Sequence, residues 1–320
     1  MSDIRRILVV LAEGEQSLPA LEHARMLAEH HEASLTIIDV KPYLETYTAA
    51  LSDLMPEDEL RALILKHRSD QLQRIVKRHE FRASQITGVK VLDGVPFIEI
   101  IREVLRNEHD LIVKVAEGET GPNERIFGST DMHLMRKSPV PVWILRPESP
   151  QRVTRIIAAI DAVADDEAAE AFNRRILDLA YAVMRMTSAE LHVITAWHLI
   201  GEDSMRYSPF LKIEEQRVDE LLQQTEDRVL RYQSELERWC KRSYSDASLP
   251  EFHRIKGIAR NVIPEFIRDS GAELVVMGTV GRSGIPGLLI GNTAETILGE
   301  VSCSALTLKP HGFITPVETG

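Results

Sequence analysis

The sequence predicts an α/β protein built twice over, with a parallel sheet in each half. Three observations carry this. Short apolar runs alternate with amphipathic segments of helix length. The second half repeats the order of the first, and a glycine-rich stretch follows a buried strand near the C-terminus. Strands alternating with helices of this length need crossover connections, and crossovers give parallel pairing.

In order, Ile7–Leu11 reads as a strand and Ser17–His30 as an amphipathic helix carrying Leu18, Leu21 and Leu27 on its apolar side. Leu35–Val40 is the second strand, and a long charged helix runs from Pro56 to about His79. Strands at Val89–Leu92, Leu111–Val115 and Val140–Leu145 alternate with helices at Pro96–Arg106 and Thr130–Lys137. The second half offers strands at Ile156–Ile160, Leu191–Ala196, His253–Lys256, Leu274–Met277 and Ala305–Leu308. Its helices are expected at Ala168–Met184, Ile213–Trp239, Asn261–Asp269 and Thr293–Leu298.

Sliding Gly94–Pro147 onto Gly257–Pro310, an offset of 163, needs no gap. Gly118, Gly128 and Thr130 then meet Gly281, Gly291 and Thr293, and the strand residues Leu111 and Val113 meet Leu274 and Val276. The first strands align at an offset of 149, with Ala12 on Asp161. Such internal periodicity marks a duplicated domain. The boundary falls near Glu148–Ser149–Pro150, giving domains at 1–149 and 150–320.

The most informative stretch is Met277–Leu298, MGTVGRSGIPGLLIGNTAETIL. Gly278 and Gly281 come where the strand must turn, and Gly291 comes just before Asn292–Thr293 opens a helix. Glycine lets backbone N–H groups approach a ligand closely, and a helix start presents unbonded N–H groups to phosphate. A capping box between Asn292 and Glu295, with the glycines only permitting a tight turn, is the competing structural reading.

Bulk properties narrow the classes. A net charge of −11 argues against a large basic footprint for nucleic acid. No stretch approaches the length of about 20 apolar residues that a membrane helix needs. Two cysteines, Cys240 and Cys303, are too few for a disulfide framework, and both read as reduced thiols of a soluble cytoplasmic protein, Cys303 in a core strand. No GxxxxGK[ST], HExxH or close Cys/His spacing suggests a catalytic or metal motif. No catalytic residue is assigned, and His23, His30, His31 and His79 read as surface residues. A metal site assembled only in three dimensions stays open.

A strand-ending Asp161 combined with G-x-x-G, nine residues, then G and a small polar residue resembles the universal stress protein family. GTVGR…GNTAE, FGSTDMHLMRKSPVPVW and the closing KP…TPVE are similar to its tandem bacterial type-E subgroup, from about Ile4 to Glu318. The resemblance implies a doubly wound fold with five parallel strands per half in the order 3-2-1-4-5. It also implies that the halves pack as an intramolecular pseudo-dimer through their last strands; whether the chain pairs again with itself stays open. That strand order places a crevice between strands one and four.

By the same resemblance the second half binds ATP, ADP or AMP, with Mg2+ an optional companion. Gly278, Gly281, Gly291, Asn292 and Thr293 form the phosphate cradle, Asp161 contacts the nucleoside, Ala196 offers backbone to adenine, and Arg282 balances phosphate charge. Asp161 could alternatively cap the segment Ala162–Asp166. Asn292 stands where the family carries serine or threonine, which adds bulk. In the first half Ala12 and Val115 replace Asp161 and Gly278, while Gly118, Gly128 and Ser129 remain and Glu117, Glu119 and Glu124 repel phosphate. Two functions follow: a nucleotide-binding stress-response switch acting on a protein partner, at most a slow ATPase, or a nucleotide-independent scaffold or carrier. The scaffold or carrier would use an apolar pocket bordered by Ala49–Met55 and Met205–Leu211.

Overall fold

The computed structural model describes residues 4–14, 18–42, 44, 48–49, 55–79, 81–82, 85–118, 126–161, 166–208, 210, 213–244, 248–280 and 290–319. The chain divides into two compact units, Met1–Gln151 with Ser304–Gly320, and Arg152–Cys303.

The first unit contains strands β1 (Arg6–Val10), β2 (Ser34–Lys41), β3 (Ile86–Asp93), β4 (Leu111–Val115) and β5 (Val142–Leu145). They lie in the order β3-β2-β1-β4-β5, all parallel. β1 and β4 are nearly continuous apolar runs with almost every residue buried, as parallel strands covered on both faces require. Helices α1 (Leu18–His31), α2 (Glu57–Arg78), α3 (Pro96–Asn107) and α4 (Ser129–Lys137) connect them. α3 starts at Pro96, whose fixed φ suits a first helical position.

β10 (Ser304–Leu308), which the repeat assigns to the second half, falls within this first unit and runs antiparallel to β5, with Ala305 opposite Ile144 and Leu306 opposite Trp143. The last strands of the two repeats therefore pair. β5 would otherwise present a row of open N–H and C=O groups, and β10 fills it with five buried residues.

The second unit holds β6 (Arg155–Asp161), β7 (Glu190–Trp197), β8 (Glu251–Lys256) and β9 (Leu274–Gly278), ordered β9-β6-β7-β8 and parallel. Its helices are α5 (Glu167–Thr187), α6 (Glu202–Tyr207), α7 (Glu215–Ser243), α8 (Ala259–Ser270) and α9 (Asn292–Glu300). α5 begins at Asp166, whose carboxylate accepts the Ala169 N–H at 2.7 Å.

Several details depart from the sequence reading: the short helix α6 is additional to it, and β8 begins two residues early and β5 two residues late. β3 begins at Ile86, three residues early, because its pairing with β2 continues through a register shift next to Gly88. His23 is buried, not on the surface: its Nδ1 lies 2.9 Å from the Pro19 carbonyl and its ring meets Trp143 edge-on. Cys303 is buried but immediately precedes β10 instead of lying in it. Neither described cysteine is in a disulfide, and burial pushes the Cys240 thiol up to about 12. Among the described residues, no helix is long and apolar enough to cross a membrane.

Candidate nucleotide site

In the second unit the chain moves outward from β6 through β7 to β8 on one side and returns to β9 on the other. β6 and β9 are thus the strands between which the direction of travel reverses, where crevices open at carboxyl ends. Asp161 is the last residue of β6 and Gly278 the last of β9, and the two strands pair from Ile156–Leu274 to Ala159–Met277. Ala196 on β7 lies in register with Asp161. The Gly291 N–H donates to the Thr279 carbonyl at 2.8 Å, which ties the start of α9 to the end of β9. Five of the expected residues therefore gather with Asp161 at one end of one sheet: Ala196, Gly278, Gly291, Asn292 and Thr293. Gly281 and Arg282 lie outside the described residues.

Gly291 is the N-cap of α9 and Asn292 its first helical residue, so the Asn292–Glu295 capping box is not formed. A glycine N-cap brings no side-chain acceptor to the first turn, and Asn292 and Thr293 are not buried. The first N–H groups of a helix have no partner within it and carry the positive end of its dipole. Asp161 does not cap the following helix either; Asp166 does.

Asp161 is held through its backbone. The Asn173 Oδ1 accepts its N–H at 3.1 Å, and the Asn173 Nδ2 donates to its carbonyl at 3.0 Å, as a neighbouring strand would. The second Nδ2 proton goes to the Tyr232 hydroxyl at 2.7 Å. Desolvation, with smaller contributions from Glu170 and Asp161, pushes the Tyr232 hydroxyl up to about 12, so it stays neutral beside the Asp161 carboxylate. Gly278 has a second reason to be glycine: a Cβ there would come within 2.5 Å of the Phe172 ring.

The first unit closes the equivalent features with its own side chains. Arg68 of α2 donates to the Ala12 carbonyl at 2.9 Å and to Asp39 at 2.5 Å, so a guanidinium covers the end of β1. Asp131 accepts the N–H groups of Gly128 at 3.0 Å and Glu117 at 2.8 Å, and pairs with the buried Lys114 at 2.9 Å. Gly128 must be glycine because a Cβ would meet the Glu117 carbonyl oxygen at 2.7 Å. At the repeat offset of 163, Asp131 corresponds to Ala294 and Lys114 to Met277. The carboxylate that fills the first cradle has no counterpart in the second.

The universal stress protein family profile matches residues 3–146 and 153–309, one copy for each repeat. The chain belongs to the universal stress protein family. It is similar over almost its whole length to Universal stress protein E of Salmonella typhi, at 26% identity across 99% of this chain and 98% of that one. Universal stress protein E of Escherichia coli K12 gives the same identity and coverage. The Universal stress protein E homolog of Haemophilus influenzae is 25% identical over 96% of this chain and 97% of its own. Among solved structures, a putative universal stress protein from Pseudomonas aeruginosa superposes with a TM-score of 0.64 at 24% identity, covering 96% and 94% of the two chains. One from Archaeoglobus fulgidus gives 0.59 at 16% identity, covering 97% and 99%. The fold of the whole tandem chain is thus shared with these proteins.

Asn173, Tyr232 and Phe172 were not singled out in the sequence. The available signal was Asn173 itself, a polar side chain on the same stripe of α5 as Ile176, Leu177 and Ala180, where burial demands a partner. Lys114 gave a similar signal, a charge inside the apolar run LIVKV.

Proposed function

We propose that this universal stress protein is a cytoplasmic stress-response switch that binds ATP or a related adenine nucleotide in the crevice of its second unit, with Mg2+ accompanying the phosphates, and shows a changed surface to a protein partner. The observation that supports the reading is the contrast between the repeats. Where Asp131 accepts the Gly128 and Glu117 N–H groups in the first unit, Ala294 brings no carboxylate to the corresponding turn, and the Gly291 N–H goes to the Thr279 carbonyl instead. An external anion suits that turn, and Asp161, fixed by Asn173, is placed to accept from a ribose hydroxyl. Ala196 is placed to give backbone atoms to adenine, while Gly281 and Arg282 complete the phosphate loop. No nucleophile–base pair is apparent here among the described residues, so binding, with turnover at most slow, is the activity proposed.

Titration calorimetry with ATP tests this. Saturation near one nucleotide per chain is expected, with affinity cut on the order of 10-fold or more in Asp161→Ala, the scale of one lost charged hydrogen bond. No heat and no saturation at millimolar ATP would refute it.

One observation favours a second reading, a carrier of a small, weakly charged molecule. The first unit has a cavity of about 650 Å³ lined by Glu13, Lys41, Leu63, Ile64, His67 and Arg68, among others. Its cations are already matched, Arg68 by Asp39 and Lys41 by Asp39 and Glu13, so it suits a neutral ligand better than a triphosphate. The pocket expected near Ala49–Met55 and Met205–Leu211 lies partly outside the described residues, and the described Tyr207 and Phe210 are largely exposed. Native mass spectrometry under gentle conditions separates this reading from the first.

A further inference from the structure

We propose that His192, His253 and Glu251 form a binding site for a divalent transition-metal ion of the zinc class. His192 is on β7, and Glu251 and His253 are on its neighbour β8, with His192 in register with Glu251. His192 Nδ1 and His253 Nε2 are 2.9 Å apart. One Glu251 oxygen lies 3.6 Å from His192 Nδ1 and the other 3.7 Å from His253 Nε2. These atoms form a compact triangle of two nitrogens and a carboxylate.

The triangle has the dimensions of one face of a tetrahedral centre. Zinc sits about 2.0–2.2 Å from imidazole nitrogen and carboxylate oxygen, which puts neighbouring ligand atoms roughly 3.3 Å apart. With one atom from each residue the three ligands lie within 4.8 Å of one another, and rotation of the exposed Glu251 carboxylate, which now turns one oxygen to each ring, closes the face. Three protein ligands leave the fourth position to water, and the exposed Glu251 puts it on the solvent side.

The surroundings also suit a metal. The other nitrogen of His192, Nε2, is buried with no hydrogen-bond partner among the described residues, and the carboxylate of Glu190 is 3.7 Å away. A histidine that ligates through one nitrogen usually turns the other N–H toward a carboxylate, which fixes its tautomer. Phe266 of α8 packs on the His253 ring at 4.7 Å and restricts its rotation. Without metal one imidazole donates its N–H to the other across 2.9 Å; with metal that hydrogen sits on the opposite nitrogen of the same neutral ring, and both facing nitrogens are free to ligate. The site is four residues along β7 from Ala196, on the order of 13 Å away at the rise of a strand, and is separate from the nucleotide crevice.

The full chain, stripped with a chelator and free of nucleotide, is titrated with Zn2+ against a chromophoric competitor and, separately, with Co2+ followed by its visible d–d bands. One high-affinity equivalent is expected, with cobalt bands of a four- or five-coordinate centre. His253→Gln removes both signals. Glu251→Gln, made on an exposed side chain that leaves the fold intact, lowers affinity by on the order of 10- to 100-fold, the scale on which even outer-shell partners act. No stoichiometric binding, or binding equally tight in folded Glu251→Gln and His253→Gln, overturns the site.

Discussion

Lys114 and Asp131 meet at 2.9 Å in the interior of the first unit, and their partners in the second repeat are Met277 and Ala294. An ion pair has been exchanged for two apolar side chains between copies of one domain. Burial raises the Asp131 carboxyl above its ordinary range, and Lys114 and the Glu117 N–H offset part of that rise. The pair, with two backbone N–H groups, keeps the first loop closed.

This gives a stability prediction. Asp131→Ala alone takes the buried carboxylate from the Lys114 ammonium, leaving it the half-exposed Glu117 carboxylate and the Val115 carbonyl, and deprives two N–H groups of their acceptor; it should cost about 3 kcal/mol in urea denaturation. The double change Lys114→Met with Asp131→Ala, which copies the second repeat, should recover much of that loss because no buried charge is left unpaired. A double variant as damaged as the single one would show that packing, not charge, governs the position.

Gly278→Ala drives a Cβ against the Phe172 ring and should destabilise by about 1–3 kcal/mol, as overpacking does. Adding Phe172→Leu should restore part of the melting temperature. A fully stable Gly278→Ala would mean that the ring yields freely.

Asn173→Leu removes both hydrogen bonds that hold the Asp161 backbone and leaves the Tyr232 hydroxyl without that donor. The expected cost is about 1–3 kcal/mol of stability, together with weaker nucleotide binding although Asp161 itself is untouched. Unchanged affinity in a folded Asn173→Leu protein would show that the carboxylate does not depend on this clamp.

These residues show which parts of the molecule were legible in advance. The strands and the candidate crevice could be read because apolar periodicity and the 163-residue repeat are local or additive signals. Asp161 and Gly291 stood out by comparison with Ala12 and Gly128. Asn173 and Tyr232 did not, since 59 residues separate them and a polar side chain does not announce its partner. The pairing of β10 with β5 was open to inference only from the family resemblance. His192 and His253, 61 residues apart, meet only because β7 and β8 pair in one particular register.

Lys309 follows β10 and is buried, and desolvation pushes its ammonium down to about 7. Between that value and its ordinary 10.5 the unfolded chain holds a proton that the folded one lacks. Stability from this group is complete above pH 10.5 and is lost as pH falls through about 7. Within the window the slope is on the order of 1 kcal/mol per pH unit, and Lys309→Met should flatten it. Equal slopes in both proteins would place the titration elsewhere.

The central claim is that the second unit holds an adenine nucleotide that the first cannot. It is met most directly by denaturing freshly purified protein, identifying the small molecules released and counting them per chain. One adenine nucleotide per chain, lost in Asp161→Ala and retained in Lys114→Met with Asp131→Ala, is the expected result. A preparation that releases no adenine nucleotide, and takes up none at millimolar concentration, would contradict the claim.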